Sequence, residues 1–296
     1  MAAAKGVNSE WGCARTMEGD RLLLVGGSPR SGTTALLQAL NSNRNVYISS
    51  EENLLRLMDG LEGLLKTRQR RSKVLEGGMR ALSPRETLNR ENIHSHNFDT
   101  AALWPTIRYI YSYHHAALNP GEAMLLWGDK LPAYAKRIAR VLELPGAHYL
   151  HITRNPFDVV NSMLRRLDAT KQGKDWWKAI TDFREMLSSW SSAFNAIMKA
   201  SDKRILHLHY EELVFAFDGC AARINQFLGL NLKYENIMVA DPDLHYGRTF
   251  LTPDMSRQIM DDPAVAEYVR LYGKASELPH VARSLEGISC RQNLKR

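Results

Sequence analysis

An apolar run, Leu22-Leu23-Leu24-Val25, leads into Gly26-Gly27-Ser28-Pro29-Arg30-Ser31-Gly32 and then into a helical pattern that opens with Thr33-Thr34. A short buried strand, a glycine-bounded turn and a helix in that order commit the chain to an α/β unit. The two glycines let the backbone come close to a bound oxyanion, and the first helical amides with the helix dipole supply partial positive charge. The spacing follows G-x-x-x-x-G-[KST], but Thr33 occupies the place of a Walker A lysine, and Arg30 inside the turn is the substitute cation. An ordinary strand-turn-helix loop with an exposed arginine has the same local pattern, so the rest of the chain must decide.

Further strand signals fall at Arg21 to Gly26, Val46 to Ile48, Met124 to Trp127, His148 to Thr153 and Arg204 to His209. Helical periodicity separates most of them, including Glu52 to Leu65, Ala133 to Leu142, Pro156 to Arg166 and Glu212 to Leu228. Short apolar strands linked by helices predict a three-layer α/β fold of P-loop-like form, with a mostly parallel central sheet flanked by helices. Ligands of such sheets gather beyond the carboxyl ends of the strands. One domain is expected over residues 21–275, with a mobile segment at 1–20 and a peripheral tail at 276–296. Lys66 to Asn97 is polar, basic and irregular, and reads as the loop-rich start of an acceptor-binding insertion over about 66–118.

A net charge of +7, from 39 basic against 32 acidic residues, favours anionic ligands but lacks the dense basic footprint of a nucleic-acid binder. Cys13, Cys220 and Cys290 are too few and too far apart for a disulfide framework or a zinc cluster, which fits a reducing compartment. Met1 to Asp20 holds no apolar stretch of signal-peptide length, so the expectation is a cytoplasmic protein with no membrane and no nucleic-acid partner. Its oligomeric state is not legible.

Two segments give the chemistry a name. Gly27 to Thr34 resembles the 5′-phosphosulfate loop of sulfotransferases that use 3′-phosphoadenosine 5′-phosphosulfate, above all bacterial members and the tyrosylprotein and glycan branches. Tyr149-Leu150-His151-Ile152-Thr153-Arg154-Asn155-Pro156, continuing to Ser162, is similar to the 3′-phosphate segment of that family. Physically, Arg154 at a strand end offers a forked permanent charge, and Ser162 adds a hydroxyl two helical turns on. Leu208-His209-Tyr210-Glu211-Glu212-Leu213 and Phe227-Leu228-Gly229-Leu230 are similar to the family's Y-E-D-L and F-L-G-L stretches, with Tyr210 toward adenine. His245-Tyr246-Gly247-Arg248 stands where a basic loop closes over the nucleotide. The resemblance implies a cofactor site of Arg30, Ser31, Gly32, Thr33, Thr34, Arg154, Ser162, Tyr210 and Arg248.

Sulfuryl transfer to a hydroxyl, or less readily an amine, needs an acceptor base and positive charge for the leaving phosphate, and needs no metal. Glu51 follows Arg30 at the spacing of the proposed base in tyrosylprotein sulfotransferases, and Glu52 or a histidine among His94, His96, His114 and His115 competes for that role. Lys130, in Gly128-Asp129-Lys130-Leu131-Pro132-Ala133-Tyr134, is similar to the family's E-K-T-P-x-Y lysine, which with Arg30 would flank the sulfate. The expected catalytic set is Glu51, Lys130 and Arg30, acting on a small-molecule or glycan acceptor. Lys66, Arg68, Arg70, Arg71 and Lys73 could recruit an acidic acceptor or form a solvated face, while Trp104, Tyr109, Tyr111 and Tyr113 could line an acceptor cleft or, in the favoured reading, pack the core. Two other readings stand beside this one. A magnesium-dependent P-loop kinase would use Asp129 as its strand-end aspartate, and a catalytically silent module would bind nucleotide without transfer.

Overall fold

The computed structural model describes residues 21–80, 103–171, 180–234 and 249–272. Five strands, β1 (Arg21–Gly27), β2 (Val46–Ser50), β3 (Leu126–Lys130), β4 (Ala147–Thr153) and β5 (Ile205–His209), form one sheet in the order β2-β3-β1-β4-β5. All four pairings are parallel, as alternating strand and helix signals predict.

The helices are α1 (Thr33–Asn41), α2 (Leu54–Arg80), α3 (Leu103–Leu118), α4 (Ile138–Leu142), α5 (Pro156–Lys171), α6 (Phe183–Lys199), α7 (Tyr210–Phe215), α8 (Phe217–Leu228), α9 (Pro253–Met260) and α10 (Pro263–Tyr272). A 3-10 helix, Pro132–Arg137, precedes α4. Side chains of β1 alternate between two cores, because successive residues of a strand face opposite ways. Leu22 and Leu24 join α2, α3, the 3-10 helix and α4 on one face, whereas Leu23 and Val25 meet α1 and α8 on the other. A third cluster packs α5, α6, α9 and α10 around Trp190, Phe194 and Tyr268. Among the described residues no helix is long and apolar enough to cross a membrane.

Several boundaries differ from the sequence reading, three of them for reasons visible in the structure. Helix α2 runs on through the basic residues to Arg80, so 66–80 is helix rather than the start of a loop-rich insertion. Lys, Arg, Gln and Glu sustain helices well, and polarity alone does not mark a loop. Strand β3 continues through Gly128 to Lys130 instead of ending at Trp127. A Cβ at Gly128 would lie 1.8 Å from the Leu23 carbonyl oxygen, so glycine there serves a tight strand contact and does not end the strand. The last helical pattern is split at Ala216 into α7 and α8.

Candidate active site

Because every strand is parallel, the residues after β1, β2, β4 and β5 and the last residue of β3 meet at one edge of the sheet. The β1–α1 turn is closed from within, where the Ser31 amide and hydroxyl both donate to the Ser28 carbonyl, at 3.1 and 2.7 Å. Arg30 has φ of 70°, a left-handed conformation that costs a non-glycine residue on the order of 1–2 kcal/mol. Gly32 caps α1 with φ of 99°, and no side chain bonds the first-turn amides, which begin at buried Thr33 and exposed Thr34. A Cβ on Gly32 would lie 2.3 Å from Cδ2 of Tyr210. Tyr210 therefore packs directly on the turn.

The segment that follows β4 meets the same ring. Arg154, directly after β4, is 7% exposed and places its guanidinium carbon 4.3 Å from the Tyr210 ring centroid. Its Nη2 lies 3.9 Å from Asp158 Oδ2, and its carbonyl accepts the Trp190 indole N–H at 2.9 Å. Its Nε is buried without a hydrogen-bond partner. Asn155 Oδ1 accepts the Phe157 amide at 2.9 Å and so caps α5, where Pro156 stands at the first helical position. The Asn155 amide donates to Glu211 at 3.0 Å. Burial pushes the Glu211 carboxyl up, while the Asn155 amide and the Arg154 charge pull it down. Arg30 Nε donates to Ser162 Oγ at 3.1 Å, joining the first turn to α5 across 132 residues of sequence.

An open hollow of about 460 Å³ lies there, lined by Arg30, Ser162, Arg165, Arg166 and Ala169. Arg165 and Arg166 are not singled out by the motifs. Their signal in the sequence is spacing, three and four residues after Ser162, which puts them on its face of the helix.

On the other side of β1, Lys130 is only 2% exposed and its Nζ lies 2.9 Å from Oε1 of Glu51, whose side chain is 56% exposed. A buried ammonium needs such a partner. Glu51 is held in the left-handed region at φ 66°, as is Asn53 at 56°. The charge of Glu52 bears on Tyr47, whose hydroxyl is held above its ordinary value first by burial and then by Glu52. His114 stacks on Tyr47 at 6.3 Å, and buried His115 bonds the Arg44 carbonyl at 2.6 Å. Both therefore meet the start of β2 and the turn before it, not the Lys130 pair at its far end. Tyr111 is buried, but Tyr109 and Tyr113 are 71% and 66% exposed, so they are surface residues and not core. Lys66 is exposed and pairs with Glu62 at 3.8 Å, as a solvated helix face does.

Asp129 does not supply a kinase's metal ligand. Fully buried, it accepts hydrogen bonds from Ser49 Oγ, the Glu52 and Leu54 amides and the Tyr134 hydroxyl, so both oxygens are engaged. Among the described residues no group of three or more His, Cys, Asp or Glu is arranged to hold a metal ion. Arg248, His94, His96, Cys13 and Cys290 lie outside the described residues, and Cys220 is a buried thiol pushed up to about 11 by its apolar surroundings.

With this geometry in place, the comparisons with known proteins are specific. A family model described as "Sulfotransferase family" matches residues 23–234. The chain is 25% identical over 230 residues to protein-tyrosine sulfotransferase A of Caenorhabditis elegans, covering 76% of this chain and 53% of that protein. It therefore spans about half the length of that curated relative. Among solved structures, the sulfotransferase domain of the Synechococcus PCC 7002 olefin synthase superposes with a TM-score of 0.46 at 19% identity, covering 87% of this chain and 96% of that one. The sulfotransferase domain from the curacin biosynthetic pathway gives 0.46 at 15%, covering 86% and 97%. The chain belongs to the sulfotransferase family.

Proposed function

We propose that this chain is an enzyme that moves a sulfuryl group in line from 3′-phosphoadenosine 5′-phosphosulfate to an acceptor hydroxyl. The reading is supported by the 3.1 Å bond from Arg30, in the β1–α1 turn, to Ser162, in the helix that follows Arg154. The residues fit a doubly anionic nucleotide on their own chemistry. The first-turn amides of α1 have no side-chain cap, and the Arg154 Nε is a buried donor without a partner. Such donors are costly unless a ligand takes them.

Arg30, Ser31, Gly32, Thr33 and Thr34 would hold the 5′ end, Arg154 and Ser162 the 3′-phosphate, and Tyr210 the adenine. Arg165 and Arg166 add positive charge beside Ser162. When bound, the nucleotide supplies sulfate activated as a mixed anhydride with phosphate. Glu51, whose side chain is exposed, takes the proton of the acceptor hydroxyl. Lys130, beside it, and Arg30, across the turn, hold positive charge where negative charge develops, which preorganised donors do without reorganisation. Glu51 is preferred over Glu52 because its carboxylate is the one that meets Lys130. No metal ion enters this scheme.

Titration calorimetry with adenosine 3′,5′-bisphosphate and with ATP tests the binding half. Preference for the bisphosphate is expected, and equal affinity overturns the reading. Mass spectrometry of a panel of phenols, sugars and peptides incubated with the phosphosulfate tests the transfer half through a gain of about 80 daltons, set by SO3 itself.

Gly32→Ala probes the cradle. The methyl group meets the Tyr210 ring and must also adopt a left-handed φ, a cost of about 1–2 kcal/mol. Affinity for adenosine 3′,5′-bisphosphate is expected to fall about tenfold by calorimetry, each 1.4 kcal/mol being roughly a factor of ten.

A further inference from the structure

The turn that presents Glu51 is strained twice. Glu51 and Asn53 both lie in the left-handed region, at φ 66° and 56°, which non-glycine residues keep only where their surroundings over-determine it. The Glu51 amide continues the ladder to the Lys130 carbonyl at 2.8 Å. Beyond it the chain turns away from the sheet, where the Asn53 carbonyl accepts the Arg56 and Leu57 amides and Asp129 bonds the backbone on either side of Asn53. Asp129 Oδ1 accepts the Glu52 amide at 3.2 Å and the Ser49 hydroxyl at 2.8 Å. Its Oδ2 accepts the Leu54 amide at 3.4 Å and the Tyr134 hydroxyl.

We infer that Asp129 is the positioning residue of the acceptor base: its buried carboxylate ties down the turn on both sides of Asn53 and so aims Glu51 at Lys130. This rests on the assignment of Glu51 as base. Alternation along β3 explains how two neighbours divide the work. Asp129 faces the core of α2 and the 3-10 helix and fixes the backbone of the turn. Lys130 meets the Glu51 carboxylate at 2.9 Å and fixes its side chain.

All four of the Asp129 donors are neutral, two amides and two hydroxyls. A carboxylate that is 0% exposed is expensive to bury, and hydrogen bonds to an ionised acceptor are about twice as strong as neutral ones. An asparagine would satisfy the same volume, but one of its two positions is a donor and would face donors. The hydroxyls keep their protons beside this charge, because burial, then Asp129, pushes the Tyr134 hydroxyl far up. Tyr111 supports the outer end through a 2.9 Å contact with Ser49.

The test is Asp129→Asn in the full chain, with Tyr134→Phe as the milder variant should the first fold poorly. Hydrogen exchange at the Glu52 and Leu54 amides is expected to speed up by about 10- to 100-fold while exchange in β1 and β4 is unchanged. Affinity for adenosine 3′,5′-bisphosphate stays within about threefold. With an acceptor probe that the wild type turns over, kcat falls about 10- to 100-fold at unchanged KM for the phosphosulfate, and about 3- to 10-fold for Tyr134→Phe. In a Glu51→Gln background, Asp129→Asn adds less than about threefold, because groups acting as a unit are not additive. Full additivity in that cycle, or unchanged exchange at 52 and 54, overturns the inference. If the wild type transfers sulfuryl to no acceptor, the base assignment fails by itself, and the exchange at those two amides still decides whether Asp129 holds the turn.

Discussion

Glu51→Gln is expected to lower kcat by about 10²- to 10⁴-fold, the usual worth of a positioned general base, with affinity for adenosine 3′,5′-bisphosphate within about threefold of wild type. The separation follows from place. Glu51 comes off the end of β2, on the far side of β3 and β1 from the strand that leads to Arg154 and Ser162. The amide keeps the shape of the carboxylate and can still lie against Lys130, but it cannot take a proton and no longer offers the ammonium a full counter-charge.

Lys130, at 2% exposure, then has a weaker partner, so a fall of thermal midpoint by a few degrees is expected beside the kinetic loss. Steady-state kinetics, calorimetry and thermal unfolding together check it. Retention of full turnover removes Glu51 from the mechanism, and turnover lost in Glu52→Gln instead assigns the proton to its neighbour.

The glycine turn after β1 and the Arg154 segment after β4 are legible in the sequence as local structures because each is contiguous. A glycine turn running into Thr33-Thr34, or an arginine before Asn155-Pro156, carries its own geometry in the local order of residues. The Arg30–Ser162 contact is legible only through the resemblance, since nothing local joins residues 132 positions apart. The role of Asp129 is illegible for another reason. With β3 read as ending at Trp127, Asp129 becomes a loop aspartate free to meet magnesium. With β3 continued through Gly128, it becomes an inward-facing strand residue whose partners come from β2, α2 and the 3-10 helix.

That one boundary turns on a close approach to the Leu23 carbonyl, which no single-sequence pattern reveals. Helix α2 is misjudged in length by the opposite error, polarity being taken for irregularity where good helix formers continue. Of the aromatics in α3, Tyr111 is buried and Trp104 packs on the core beside Trp127, whereas a period of four puts Tyr109 and Tyr113 together on the solvent face.

Arg154→Ala is expected to weaken adenosine 3′,5′-bisphosphate by roughly 30- to 150-fold, equivalent to about 2–3 kcal/mol for charge-assisted hydrogen bonds lost from a site sheltered from water. Adenosine 5′-phosphate, which lacks the 3′ group, should lose less than about threefold, so the ratio of the two affinities identifies what Arg154 grips. An equal loss for both nucleotides would mean that the arginine merely supports the Tyr210 ring, 4.3 Å away. Arg154→Lys is expected to recover little, since a point charge cannot reproduce the planar fork.

The variant also has a pH signature from Glu211. Burial raises that carboxyl above its ordinary 4.5, and Arg154 is among the groups that restrain the rise. A carboxyl raised in the folded state leaves stability intact below its unfolded value and removes it as pH climbs through the folded one. Removing Arg154 lifts the folded value further and widens that window upward. The deficit in thermal midpoint of Arg154→Ala should therefore be smallest in acid and grow as the pH rises above the ordinary value of Glu211. A deficit that stays constant as the pH rises would show that Arg154 and Glu211 are not electrostatically coupled.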